Sequence, residues 1–220
     1  MNSKFSFWPP FLLFSLIYLI SMAFDLPSSV SAALKVMPIF LLIALVFRAQ
    51  VKPLYLWPAL LFSACGDVLL ALPINNSFTF GLSAFLLAQL SYAVGFYRER
   101  ATSLTAKAKS RLSFVIIISL GLAAIILPKT GELLIPVAIY LTAIIAMACC
   151  ACLHQTKQAT LFTGVLLFVL SDSLIAINKF VLPFTGSDIA IMVTYYAAQA
   201  LIVTAALMHR RKKDAPQVQT

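Results

Sequence analysis

Two aspartates, Asp67 and Asp172, stand 105 residues apart in the middle of long apolar segments, and their surroundings repeat. Gly66-Asp67-Val68-Leu69-Leu70-Ala71-Leu72 aligns with Ser171-Asp172-Ser173-Leu174-Ile175-Ala176-Ile177. A charged carboxylate at the centre of a membrane helix costs about 2.5–3.5 kcal/mol on insertion scales, so such residues are rare and usually put to use. The matched pair implies a site built from both halves of the chain, with acid/base work as its natural chemistry. The competing reading is structural, with each aspartate serving as a hydrogen-bond partner for a neighbouring helix.

The elements that must hold these residues are membrane helices. Of 220 residues, 62% are hydrophobic and 10% charged, and the mean hydropathy is +0.99. A soluble domain carries roughly 25% charged residues. Eight apolar stretches approach the ~20 residues that cross a bilayer. They cover 8–24, 30–47, 53–73, 78–97, 112–128, 132–153, 159–180 and 189–208. None shows the ten-residue alternation of a β-barrel strand. The expected fold is an all-α membrane bundle of eight transmembrane helices.

Positive charges orient that bundle. Lys4, Arg48, Lys52, Arg98, Arg100, Lys107, Lys109, Arg111, Lys157 and the run from Arg210 to Lys213 fall on one side, 13 of the 16 Lys and Arg. The positive-inside rule then makes both termini and the 98–111 loop cytoplasmic. The formal charge of +9 is a topology signal, since no basic soluble domain exists to bind nucleic acid. Lys4 before an apolar run resembles a signal peptide, but with no small-residue cleavage site the segment reads as a retained first span. Cys149, Cys150 and Cys152 cluster at the cytoplasmic end of the sixth span, where with Cys65 they read as packing residues, not disulfides.

The aspartates occupy the third and seventh spans, and Ala88-Gln89 in the fourth matches Ala198-Gln199 in the eighth. The chain therefore divides into tandem four-helix halves, about 1–97 and 112–208, joined by the 98–111 loop and followed by a disordered tail over 210–220. At 1.5 Å per residue, Asp67, Asp172, Lys35, Tyr195 and Tyr196 all lie about 7–12 Å below the outer ends of their spans. Gln89 and Gln199 are deeper, and Tyr92 deeper still. Gln89 shares a face with Tyr92 at i+3, and Tyr195 shares one with Gln199 at i+4. An ammonium near two carboxylates would favour one charged and one protonated acid, a general acid/base pair. The bland alternatives are snorkelling for Lys35, interfacial placement for the tyrosines, and interhelical hydrogen bonding for the glutamines.

Metal catalysis finds no ligand set, because His154 and His209 sit at cytoplasmic helix ends away from the aspartates. No His is placed to activate Ser63, Ser171 or Ser173 as a nucleophile. No cofactor is expected.

The chain resembles the YhhN-like integral membrane proteins, the lysoplasmalogenase family. The resemblance rests on Lys35-Val36-Met37-Pro38, Phe62-Ser63-Ala64-Cys65-Gly66-Asp67, the run from Phe80-Gly81-Leu82 to Tyr92, Ser171-Asp172-Ser173-Leu174-Ile175-Ala176, and Tyr195-Tyr196-Ala197-Ala198-Gln199. It implies an enzyme that cleaves the vinyl ether bond of lysoplasmalogens, with a lysophospholipid substrate, bilayer lipids around it, and no obligate protein partner. The expected location is a bacterial cytoplasmic (inner) membrane. Under this reading Asp67 and Asp172 are catalytic, with Lys35, Gln89, Tyr92, Tyr195, Tyr196 and Gln199 binding substrate or supporting the acids. One departure stands out. The family pattern often has His where this chain has Gln89, and Gln cannot shuttle a proton near neutral pH. A proton-coupled carrier also fits intramembrane carboxylates in repeated halves, and a lipid-binding protein without turnover fits the structural reading of the aspartates.

Overall fold

A computed structural model describes residues 7–49, 53–156 and 159–214. Lys4, Lys52, Lys157 and tail residues 215–220 lie outside the described residues. In a bilayer no water is at hand to satisfy backbone N–H and C=O groups, so apolar segments close their own hydrogen bonds as helices. Among the described residues there are eight α-helices: α1 Trp8–Ser21, α2 Ser28–Arg48, α3 Leu56–Ala71, α4 Ser77–Arg98, α5 Ala106–Ile126, α6 Leu134–Leu153, α7 Ala159–Ala176 and α8 Ser187–Asp214. Helix α7 runs on into a π-helical turn, Ile177–Val181. Six of the eight helices are long and apolar enough to cross a membrane. This is a multi-pass integral membrane protein.

Helices α1 and α3 are shorter than the apolar stretches that contain them, at 14 and 16 residues. Proline explains the end of α3. Leu72 is extended, with ψ 139°, because a residue preceding proline is pushed out of the helical region and Pro73 follows it. Helix α8, by contrast, outruns expectation and stays helical through Arg210–Asp214, where the sequence places the start of a disordered tail. Lys and Arg near a helix C-terminus are favoured by its dipole, and Arg210 has a specific partner there.

The helices meet at two dissimilar ends. At one, the last turns of α1, α3 and α7 and the first turns of α2, α4 and α8 surround an open cavity. At the other, the ends of α4, α6 and α8 are fastened together around Glu99, which is 3% exposed. His154 Nε2 lies 3.0 Å from Glu99 Oε2, and Arg210 Nε lies 2.5 Å from Oε1. Backbone bonds reinforce the joint, with Ala101 N–H donating to Leu153 C=O at 2.8 Å and Gln155 N–H to Glu99 C=O at 2.9 Å. The cysteines are free, and Cys152 is packed in the core nearby.

Between these ends, glycine sets how closely the helices approach. A Cβ on Gly66 would lie 2.6 Å from the Phe85 ring, and one on Gly81 would lie 2.6 Å from Leu70. Helices α3 and α4 therefore pack almost backbone to ring. The same device brings α7 to α8, where a Cβ on Gly164 would meet Ile202 at 3.0 Å.

Glu99 also ties the fold to pH. Burial works against its charged form, but the hydrogen bond from His154 and the charge of Arg210 outweigh it and hold the carboxyl below its usual range. A carboxylate lowered on folding stabilises fully above its unfolded value, about 4.3, and loses that contribution as pH falls through the lower folded value. The thermal midpoint in detergent should therefore decline below about pH 4, with a shallower decline in Glu99→Gln. At neutral pH that variant should lose about 1–2 kcal/mol, since Arg210 is one third exposed and water takes over part of the lost pairing.

Candidate active site

Asp67, on α3, is 1% exposed. Two neighbouring helices supply its partners. From α2, Lys35 places Nζ 3.7 Å from Oδ1, and from α8 the Tyr195 hydroxyl donates to Oδ2 at 2.8 Å. The Tyr195 ring is held edge-on by Phe85 and Phe168, with centroids 5.7 and 5.8 Å away. Behind it, Gln199 donates to Ser63 Oγ at 2.9 Å and weakly to the Tyr195 hydroxyl at 3.5 Å. Gln199 Oε1 accepts from the Tyr92 hydroxyl at 2.6 Å. Each side chain of this Asp67 network finds a partner, which is the condition for keeping a polar group buried.

Asp172, on α7, has a different company. The Tyr140 hydroxyl of α6 donates to Oδ2 at 2.5 Å, and Gln89 Nε2 of α4 donates to the same oxygen at 2.7 Å. Gln89 Nε2 also lies 2.7 Å from the Tyr140 hydroxyl. Among the described residues neither a cation nor a third donor reaches Asp172, and both donors bond Oδ2, so Oδ1 accepts no protein bond. Gln89 Oε1 is buried and likewise without a partner.

The layer expected from sequence is thus two carboxylate groups. Lys35, Tyr195, Gln199 and Tyr92 assemble behind Asp67, whereas Gln89 serves Asp172. Tyr196 faces neither acid. Its hydroxyl donates to the Lys35 carbonyl at 2.7 Å, fixing the lysine's backbone three residues before Pro38, where the helix lacks an N–H donor. Tyr140 and Ser63 are the residues that sequence reading leaves out of the site. A signal for Tyr140 exists, because it follows Lys35 by 105 residues, the offset that separates the aspartates.

The cavity at the open end has a volume of about 540 Å³, and its lining includes Tyr18, Lys35, Leu70, Phe78, Lys179 and Asp188. A smaller cavity of about 40 Å³ touches Asp172 and shares Leu70, Phe78 and Ile175 with the large one. Leu70 and Ile175 each lie one turn beyond an aspartate, at i+3, on the same helix face. These apolar side chains form a partition, with the carboxylates on one side and the open cavity on the other. His154 and His209 stand at the opposite end, where their ligand atoms and those of Glu99 lie within 4.8 Å of one another. Arg210 already supplies a cation to that carboxylate.

Residues 30–206 match the model of the YhhN family. The chain belongs to the YhhN family. Curated relatives include a lysoplasmalogenase of Mycobacterium tuberculosis, 37% identical over 166 residues, covering 73% of this chain and 63% of that protein. Lysoplasmalogenase TMEM86A of Bos taurus is 31% identical over 199 residues, covering 84% and 81%. Lysoplasmalogenase TMEM86B of Homo sapiens is 35% identical over 153 residues, covering 68% and 62%. The match to this chain thus spans 63% of the mycobacterial protein's length. No solved structure matches the chain.

Within this family member, the bond from Tyr140 can be measured without any assay of function. In a double-mutant cycle of Tyr140→Phe with Asp172→Ala, thermal unfolding in detergent should give a coupling of about 0.5–1.5 kcal/mol, the range for a hydrogen bond between neutral groups. A coupling near zero would show that the two side chains are independent.

Proposed function

We propose that this protein hydrolyses the vinyl ether bond of lysoplasmalogens, giving a fatty aldehyde and glycerophospho-ethanolamine or -choline. One observation carries the reading: two carboxylates, Asp67 buried with a lysine partner and Asp172 half-buried with neutral donors only, each stand one helical turn behind a shared apolar partition. The relatives named lysoplasmalogenase lend support. In this reading all eight helices span the membrane, as two tandem four-helix units, with both termini in the cytoplasm of a bacterial cell. The paired positions of Lys35 with Asp67 and Tyr140 with Asp172 support the tandem arrangement.

The chemistry follows from where charge develops. Protonation of the vinyl ether β-carbon gives an oxocarbenium ion, and attack by water, which returns a proton to the carboxylate left by the acid, gives a hemiacetal. The hemiacetal collapses to the aldehyde and a free glycerol hydroxyl. Asp172 is the acid in this scheme, because both of its protein donors converge on Oδ2 and leave Oδ1 to carry the proton. Asp67, held beside Lys35, is the carboxylate that stabilises the cation and orients water, as in the two-carboxylate logic of glycosidases. The unpartnered Gln89 Oε1 accepts a hydrogen bond from that water.

Asp67→Asn and Asp172→Asn should each lower aldehyde release from a lysoplasmalogen by about 10²–10⁴-fold, the range for a lost acid or base, with the fold retained. Near-normal turnover in either variant would defeat the mechanism. No aldehyde from folded wild-type protein would favour a carrier, tested next by flux into sealed vesicles. Gln89 already donates the bond that a histidine ring N–H would give Asp172. Gln89→His should therefore keep the rate within about tenfold, the factor that 1.4 kcal/mol represents. A larger rise would show that a titrating ring improves the cycle.

A further inference from the structure

The 540 Å³ cavity is polar in a protein that is otherwise apolar, and its charges have both signs. Lys35 Nζ stands 3.7 Å from Asp67, a long ion pair that does not exhaust the ammonium's three donors and leaves it able to meet a second anion. Lys179 Nζ lies over the Phe78 ring, 4.4 Å from the centroid. Among the described residues, no carboxylate pairs with it. Asp188, in the first turn of α8, is exposed and has no hydrogen-bond or ion-pair partner among the described residues. The lining thus carries two cations and one anion, and Asp67 behind Lys35 brings the local sum to zero. A simple anion trap would carry an excess of positive charge, and a cation site the reverse.

We propose that this cavity is a subsite for a zwitterionic phospholipid headgroup, in which Lys35 and Lys179 take the phosphate and Asp188 takes the ammonium. The inference rests on the lysoplasmalogenase reading and extends it to headgroup choice. Geometry matches the substrate's connectivity. In a lysoplasmalogen the headgroup and the vinyl ether occupy opposite ends of a three-carbon glycerol. The headgroup stays in the cavity while the ether passes Leu70 and Ile175 to reach the acids. The 40 Å³ space beside Asp172 is too small for the chain, so that partition opens on binding. Headgroups with a phosphate and no ammonium leave Asp188 facing a second anion and are disfavoured.

The test uses the full-length protein in detergent and two uncleavable ligands, a saturated 1-alkyl lysophosphatidylethanolamine and the corresponding lysophosphatidate. Wild-type protein should bind the zwitterion at least tenfold more tightly. Asp188→Asn should erase that preference by weakening the zwitterion alone, and Lys179→Gln should weaken both ligands together. Thermal midpoints measured in parallel separate this from a role for Asp188 in stabilising the start of α8, which would lower the midpoint and leave the preference intact. Equal wild-type affinity for the two ligands, or a preference unchanged in Asp188→Asn, overturns the proposal. Aldehyde release from lysoplasmalogen, measured alongside, separates the two readings. A zwitterion preference without turnover would defeat the hydrolase and keep the headgroup site, and turnover without the preference would do the reverse.

Discussion

A carboxylate that leaves water must meet fixed hydrogen-bond donors or a cation, because the surrounding hydrocarbon offers neither. That constraint organises the middle of this bundle. Asp67 draws on α2 and α8 for Lys35 and Tyr195, and Asp172 draws on α4 and α6 for Gln89 and Tyr140. Six helices are thereby committed to two side chains. The aromatic rings around Tyr195 and the glycine contacts between α3 and α4 keep the donors where the acids need them. Packing and polar satisfaction here are one problem solved together.

The two ends of the molecule divide stiffness from access. At the basic end, Glu99 gathers His154 and Arg210 from two other helices, and backbone bonds close the same joint. At the opposite end the helices splay around an open, charged cavity. The side chains shared by the cavity and the space beside Asp172 are the apolar Leu70, Phe78 and Ile175, and none of them takes part in the hydrogen bonds that hold the acids. The acids thus stand nearer the open end than the fastened one, with apolar side chains between them and the cavity.

Much of this was legible in the residues. The aspartates, Lys35, the glutamines and Tyr195 are conspicuous because polar atoms in apolar segments have few reasons to be there. The exceptions have physical causes. Tyr140 blends into an apolar span, since a tyrosine ring suits a membrane helix whether or not its hydroxyl is used. Tyr196 sits beside Tyr195 in sequence but points to a backbone carbonyl, and such acceptors leave no mark in sequence. The lengths of α1 and α3 were set by prolines and turns, which act on the backbone regardless of hydropathy. The helical path of α8 past Arg210 depended on a partner, Glu99, that lies more than a hundred residues away.

The donors also cross between the halves. Asp67, in the N-terminal half, takes its hydroxyl from Tyr195 in the C-terminal half, and Asp172 takes its amide from Gln89 in the N-terminal half. In the tandem arrangement proposed above, a half-length chain would present each acid without its crossed partner. Two such chains placed side by side would complete both sites, whereas one alone would complete neither. In that proposed arrangement the connectivity would be that of a homodimer joined into one polypeptide, with the segment 99–105 between α4 and α5 as the covalent link. The two acids would then occupy matching positions with different company, a lysine beside one and a tyrosine beside the other.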